Sequence, residues 1–379
     1  MSAVAESSLL PVYPPPRVAF VEGEGVRLTA SDGRRYLDFA SGIAVVGLGH
    51  RHPAPLAAAH AQLDRLWHVS NLFATEPASA LATRLSERFG GAQAFFCNSG
   101  AEANEAALKY ARRATGRDGV LALEGSFHGR TAGALSATGQ PSKRTPFEPL
   151  LDGVSFAVPN DVESLSAAAS ERIGLVLLEP VLGEGGVLPL EPAFVTAAAE
   201  LAKELGALLA FDEVQTGVGR TGAFFACEGL GVRPQLVTLG KGLANGLPIG
   251  CLLVAEEAGG AFAVGDHGST FGGNPVVCAA AGAVCDTITD QLLAQVRANG
   301  SRLAAGLAAL PGVEEVRGAG LLVGATLDRP AEPVVDDLLD AGLVCLAAGP
   351  DVLRLAPPLV TRVDDVETGL GILADVLAG

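Results

Sequence analysis

Six short aliphatic runs constrain the fold more than any other feature of this chain: AFFC (94–97), VLALE (120–124), GLVLLEP (174–180), ALLAFDE (207–213), LVTLG (236–240) and GCLLVA (250–255). Each is continuously apolar and does not alternate. That pattern marks strands covered on both faces, as in a mostly parallel sheet between helix layers. Stretches of helical periodicity lie between them, such as AEANEAALKYARRA (101–114) and PAFVTAAAELAKELG (192–206). The expected class is therefore α/β. The ends of the chain read differently. Residues 18–40 predict a small β-meander turning at Ser31-Asp32-Gly33. A long helical stretch from about residue 280 leads to candidate strands LLVGATL (321–327) and DVLRLAPP (351–358). This predicts a large α/β/α domain over 53–280 and a small α+β domain drawn from both ends, 1–52 and 281–379.

A chain of 379 residues suits two domains better than one small core. Its net charge of −16 argues against nucleic acid and anionic membrane as partners. The opening MSAVAESSLLPVYPPP carries neither a basic nor an apolar segment, so no signal peptide is expected. No unbroken apolar stretch is long enough to span a bilayer; the run from Pro275 to Cys285 reads as a buried helix. The six cysteines are widely spaced, form no CxxC and sit mostly in apolar runs. Buried reduced thiols and a cytoplasmic protein are the expectation. The six histidines make no metal pattern, and His50 and His52, on either side of Arg51, read as a polar turn. No metal is expected.

Three stretches carry chemistry. In FFCNSGAEANEAALKYA (95–111) a strand runs through Asn-Ser-Gly into a helix, with Ser99 as N-cap and Glu102 completing a capping box. The small Gly100 and Ala101 leave the first amides uncovered, which fits either a well-capped helix or an anion site. In ALLAFDEVQTGVGRTG (207–222) a strand ends on Asp212 and Glu213, either solvated or aimed into a ligand crevice. The GxGxxG at 217–222 lacks the acidic residue about twenty positions on and the following helix of a dinucleotide fingerprint. In TLGKGLANGLPIG (238–250), Lys241 ends an apolar run between glycines. It reads either as a lysine reaching for solvent or as a partly desolvated amine able to form a Schiff base. Taken together, a helix-terminal anion site, a strand-end aspartate and a strand-end lysine make the set of parts that pyridoxal 5′-phosphate requires.

The order of these segments resembles the class III, fold-type I pyridoxal-phosphate aminotransferases, and among them the acetylornithine aminotransferase family. The matching segments include LDFASGIAVVGLGHRHP (37–53), FFCNSGAEANEAALKYAR (95–112), SFHGRTAGALSATGQP (126–141), GEGGV (183–187), FDEVQTGVGRTG (211–222), GKGLANGLPIG (240–250), HGSTFGGNP (267–275) and LRLAPPLV (353–360). The resemblance implies Lys241 as the Schiff-base lysine and proton carrier, and Asp212 as partner of the ring nitrogen. It also implies Gln215 at the ring hydroxyl within a Glu213-Val214-Gln215 cofactor segment, and Phe127 on the ring face. Ser99, Gly100 and Ala101 would hold the phosphate, and Thr270 would reach it from a neighbouring subunit, making a homodimer with shared sites.

For substrates the resemblance implies Arg130, with Ser269 near it, for the acetylornithine carboxylate. Arg354 would clamp the carboxylate of 2-oxoglutarate or glutamate, with Glu184 pairing with Arg354 in one half-reaction and swinging away in the other. The expected activity is δ-amino transfer from N2-acetyl-L-ornithine to 2-oxoglutarate. Succinyl-diaminopimelate, ornithine and a carrier-linked amine are alternative donors, and an aminomutase a more distant alternative. Leu182 stands where the family usually has glutamine, and Asn245 where glycine is commoner.

Overall fold

The computed structural model describes residues 8–379; residues 1–7 of the expected N-terminal segment and opening peptide lie outside the described residues. All six apolar runs form strands of one seven-stranded sheet. Its order is Ala92–Cys97, Gly250–Ala255, Leu236–Leu239, Leu208–Asp212, Ile173–Leu178, Gly119–Leu123, Val154–Ala157. Only Gly250–Ala255 runs against its neighbours; the other six strands share one direction.

Alternation along the strands sends side chains into two separate layers. Leu121, Leu123, Val176, Leu178, Leu209 and Phe211 pack on one face with Phe194, Val195 and Ala198 of the helix Pro192–Leu205. Val120, Ala122, Leu175, Leu177 and Ala210 pack on the other with Ala106, Ala107, Tyr110 and Ala111 of the helix Gly100–Thr115. Both faces are dry, which is why the strands read as continuous apolar runs. Each large side chain so buried contributes roughly 1.5–3 kcal/mol. All six cysteines are buried and unpaired.

The N-terminal meander Phe20–Glu24, Arg27–Ala30, Arg35–Asp38 forms as expected and pairs in parallel with Leu343–Val344. Val26, Leu37 and Phe39 share a buried cluster with Leu303, Leu307, Leu353, Leu355 and Leu373, so the two ends of the chain pack on each other. Residues Val313–Ala319, Leu322–Leu327, Leu346–Ala347 and Val352–Leu355 make an antiparallel sheet beside them.

The helical stretch differs from expectation. It is two helices, Pro275–Thr287 and Asp290–Ala308, meeting at 74°. The expected boundary at 280 falls inside the first, whose Cys278, Ala281, Val284 and Cys285 belong to the large core. The packing changes along the second helix, where Leu293 and Val296 face the large core and Leu303 and Leu307 the small one. Among the described residues no single helix is long and apolar enough to cross a membrane.

Candidate active site

Asp212, Lys241 and Ser99 all follow the C-terminal ends of parallel strands, and so reach one edge of the sheet. Asp212 is 4 % exposed and accepts hydrogen bonds on both oxygens. Its Oδ2 accepts from Asn104 Nδ2 and from His128 Nδ1, each at 2.7 Å, and its Oδ1 accepts from the Val214 amide at 3.0 Å. Asn104 is fixed in turn by Thr238, which donates to its Oδ1 at 2.8 Å. Burial works against a charge on His128, but the Asp212 hydrogen bond and charge prevail and raise its pKa above the ordinary value. Glu179, beneath, accepts from the Phe127 amide at 2.9 Å, and burial pushes it up to about 7.

The turn into the helix Gly100–Thr115 has the expected Ser99 cap, but the return bond of the expected capping box falls on Asn98 instead of Ser99. Ser99 Oγ accepts from the Glu102 amide at 3.2 Å, and Glu102 returns to the Asn98 amide at 2.5 Å. Among the described residues the Gly100 and Ala101 amides have no acceptor. Gly100 is required here, since a Cβ would lie 2.5 Å from Val214 Cγ1. Gly240 is less constrained, since a Cβ there would lie a tight 3.3 Å from both the Gly100 nitrogen and Val214 Cγ1.

Lys241 opens a short 3₁₀ turn with φ of +38°, a left-handed conformation that costs a non-glycine residue on the order of 1–3 kcal/mol and clusters at functional sites. Burial lowers its pKa to about 8; Arg354 adds to the effect, and Asp212, Glu179 and Glu184 oppose it. Asn245, the departure from the family pattern four residues on, sits left-handed at φ +50°. Its side chain accepts from the Leu48 amide at 2.7 Å and donates to the Gly49 carbonyl at 2.9 Å, tying this turn to the GLGH segment.

Arg354, 5 % exposed, lies on the strand Val352–Leu355 and donates to Glu184 Oε1 at 2.6 Å and to the Gly183 carbonyl at 3.0 Å. Burial pushes Glu184 up, but Arg354 and then Lys143 hold it below its ordinary value. Lys143 Nζ is 3.5 Å from Glu184 Oε2. Arg130 and Lys143 both lie over the Phe127 ring, at 5.6 and 4.9 Å from its centroid. Leu182, where glutamine is usual, is a core residue at 1 % exposure.

Other expected residues fall less centrally. The Glu213 carboxylate accepts from the Ala226 and Cys227 amides at 2.6 and 2.9 Å and serves that turn, not the crevice. Val214 backs the Gly100 turn. Ser269 Oγ accepts from Asn98 at 3.2 Å, while Thr270 is exposed beside it. His50 does more than the polar turn read from the sequence: its Nε2 meets the buried Asp38 at 2.7 Å. His128, Asn104, Glu179 and Lys143 were not singled out from sequence. His128 stands in the SFHGR segment and Asn104 four residues into the capped helix, but only the fold brings both to Asp212.

The residues fit pyridoxal phosphate on one observation in particular. His128 Nε2, Gln215 Oε1 and Thr216 Oγ1 are buried without partners, and Gln215 Oε1 is pressed so close to Gly183 that a Cβ there would lie 2.2 Å from it. An acceptor awaiting a hydroxyl, a strand-end carboxylate and bare helix-start amides suit a phosphorylated hydroxypyridine.

The chain is similar to known proteins along nearly its whole length. Residues 11–377 match the model of the class-III aminotransferases. It is 48 % identical over 377 residues to the acetylornithine aminotransferase of Mycolicibacterium smegmatis, covering 98 % of this chain and 96 % of that one. It is 49 % identical over 378 residues to that of Streptomyces coelicolor, covering 98 % and 94 %. The solved ornithine aminotransferase of Toxoplasma gondii, described with partial occupancy of PLP at its active site, superposes with a TM-score of 0.92 at 30 % identity over 98 % of this chain and 92 % of that one.

Proposed function

The chain belongs to the class-III aminotransferases, which are pyridoxal-phosphate-dependent, and from that premise we propose that it transfers the δ-amino group of N2-acetyl-L-ornithine to 2-oxoglutarate. The observation that carries the reading is the Glu184–Arg354 pair at 2.6 Å. An enzyme that alternates between an amine with one carboxylate and a dicarboxylate needs a second cation it can cover and uncover. Arg354 is that cation and Glu184 its cover. The names of the relatives at 48–49 % identity narrow the amine to N-acetylornithine.

The cofactor, when bound, supplies an aldehyde for the amino group and a protonated ring that accepts electrons from the reacting carbon. Lys241 Nζ, its pKa lowered to about 8 by burial, would be the group that holds and moves the proton of the reacting substrate carbon. Asp212, locked by His128 and Asn104, holds the ring nitrogen protonated. Gln215 Oε1, buried without a partner, would accept from the ring hydroxyl, and the amides of Gly100 and Ala101 with Ser99 would hold the phosphate. Phe127 would lie against the cofactor ring, and Arg130, over the Phe127 ring, would take the substrate carboxylate.

The active unit in this reading is a homodimer. Trp67, Leu72, Phe73 and Phe271 are 60–88 % exposed around the Ser269–Thr270 segment, an apolar surface that a second copy covers while its Thr270 reaches this chain's phosphate turn. The buried, unpaired cysteines suit a reducing cytoplasm. Turnover of a panel of ω-amines with 2-oxoglutarate tests the substrate. N-acetylornithine is expected to have the highest kcat/KM; a higher value for ornithine or succinyl-diaminopimelate would reassign it.

A further inference from the structure

Glu184 meets two cations. One oxygen is 2.6 Å from Arg354 Nη1 and the other 3.5 Å from Lys143 Nζ. For a dicarboxylate to reach Arg354, this carboxylate has to leave. Leaving a buried guanidinium with no counter-charge on the other side leaves an anion poorly solvated, which opposes the exchange. Lys143 is already at the free oxygen and is held there. Its Nζ donates to Gln140 Oε1 at 2.5 Å and lies 4.9 Å above the Phe127 ring, and its side chain is 22 % exposed.

We propose that Lys143 is the positioning residue that receives the Glu184 carboxylate when a dicarboxylate occupies Arg354, and so sets how readily the site accepts a second carboxylate. A small rotation of Glu184 exchanges the 2.6 Å contact for a shortened contact to Lys143 and keeps the carboxylate paired throughout. Burial lowers the Lys143 pKa and Glu184 works against that, so the two groups sense each other in the resting state. Neither the apolar run readings nor the family pattern pointed to this lysine; only the fold of the segment Pro141–Arg144 over Phe127 brings it to Glu184.

This inference rests on Arg354 as the dicarboxylate clamp, so the test separates the two. Glutarate, a dicarboxylate with no keto group, is titrated calorimetrically into the cofactor-loaded wild type and into Lys143→Gln, Lys143→Arg and Arg354→Ala. The KM values for 2-oxoglutarate and N-acetylornithine are measured alongside for the lysine variants. Lys143→Gln is expected to weaken glutarate and raise the KM for 2-oxoglutarate about fivefold, the scale of a partly exposed ion pair. The KM for N-acetylornithine should move less than about twofold on the same scale, and Lys143→Arg should recover glutarate binding. Unchanged glutarate binding in Lys143→Gln, equal rises in both KM values, or no recovery by arginine would overturn the role of Lys143. Glutarate binding that survives Arg354→Ala would overturn the clamp itself.

Discussion

Asp212 takes hydrogen bonds on a single oxygen from two buried side chains, His128 and Asn104, each at 2.7 Å. The two bonds fix the orientation of the carboxylate, and the contact raises the pKa of His128 against its burial. Loss of either partner frees the aspartate. His128→Ala is expected to lower kcat on the order of 10- to 100-fold, the cost of one charge-assisted hydrogen bond plus an unfilled cavity. It should also shorten cofactor retention during dialysis, read by absorbance. His128→Asn, which restores a donor, should recover part of both. Wild-type retention and rate in His128→Ala would show that Asp212 is held without it.

In the proposed function Arg354 serves one half-reaction and not the other. Arg354→Ala removes the clamp and strands Glu184, so the 2-oxoglutarate half-reaction should fall by about 3 kcal/mol, on the order of a hundredfold. The N-acetylornithine half-reaction should fall far less. Rapid-mixing absorbance on each half-reaction measures this, and equal losses would contradict the clamp.

Gly100 and Val214 are predicted to be coupled. A methyl group at 100 would sit 2.5 Å from Val214 Cγ1. Gly100→Ala should destabilise by about 1–3 kcal/mol through overpacking in denaturant unfolding. Adding Val214→Ala should return most of that loss, so the double mutant would be more stable than additivity allows.

Much of this was legible beforehand. The continuous apolar runs marked the strands because both faces of the sheet are covered, and Ser99, Asp212 and Lys241 were visible because each follows such a run. What could not be read is what the fold joins across long separations. His128 lies 84 residues from Asp212 and Asn104 108 residues from it, and nothing local in either segment announces the contact. Glu213 misled for the opposite reason. Adjacent residues on a strand end point to opposite sides, so only one of the Asp212-Glu213 pair can face the crevice. Glu213 serves the Ala226–Cys227 turn.

That placement gives Glu213 a signature in the pH dependence of stability. Burial pushes it up to about 7 from the usual 4.5, against two amide hydrogen bonds that lower it. The folded state therefore binds its proton more tightly than the unfolded state. The resulting stabilisation is complete below about pH 4.5 and is lost as pH rises through about 7, up to roughly 3 kcal/mol. Glu179, also raised to about 7 by burial, acts in the same direction. Urea midpoints should fall between pH 5 and 8, and Glu213→Gln should make that fall shallower. An equal slope in the variant would remove Glu213 from the cause.

That Lys241 is the reacting lysine of an aminotransferase acting on N-acetylornithine is tested by the visible absorbance of the cofactor-loaded protein during a single half-reaction. N-acetylornithine alone should bleach the band, 2-oxoglutarate should restore it, and Lys241→Ala should lack the band that bleaches. A band that N-acetylornithine leaves unchanged, or one that persists and bleaches normally in Lys241→Ala, would contradict the account.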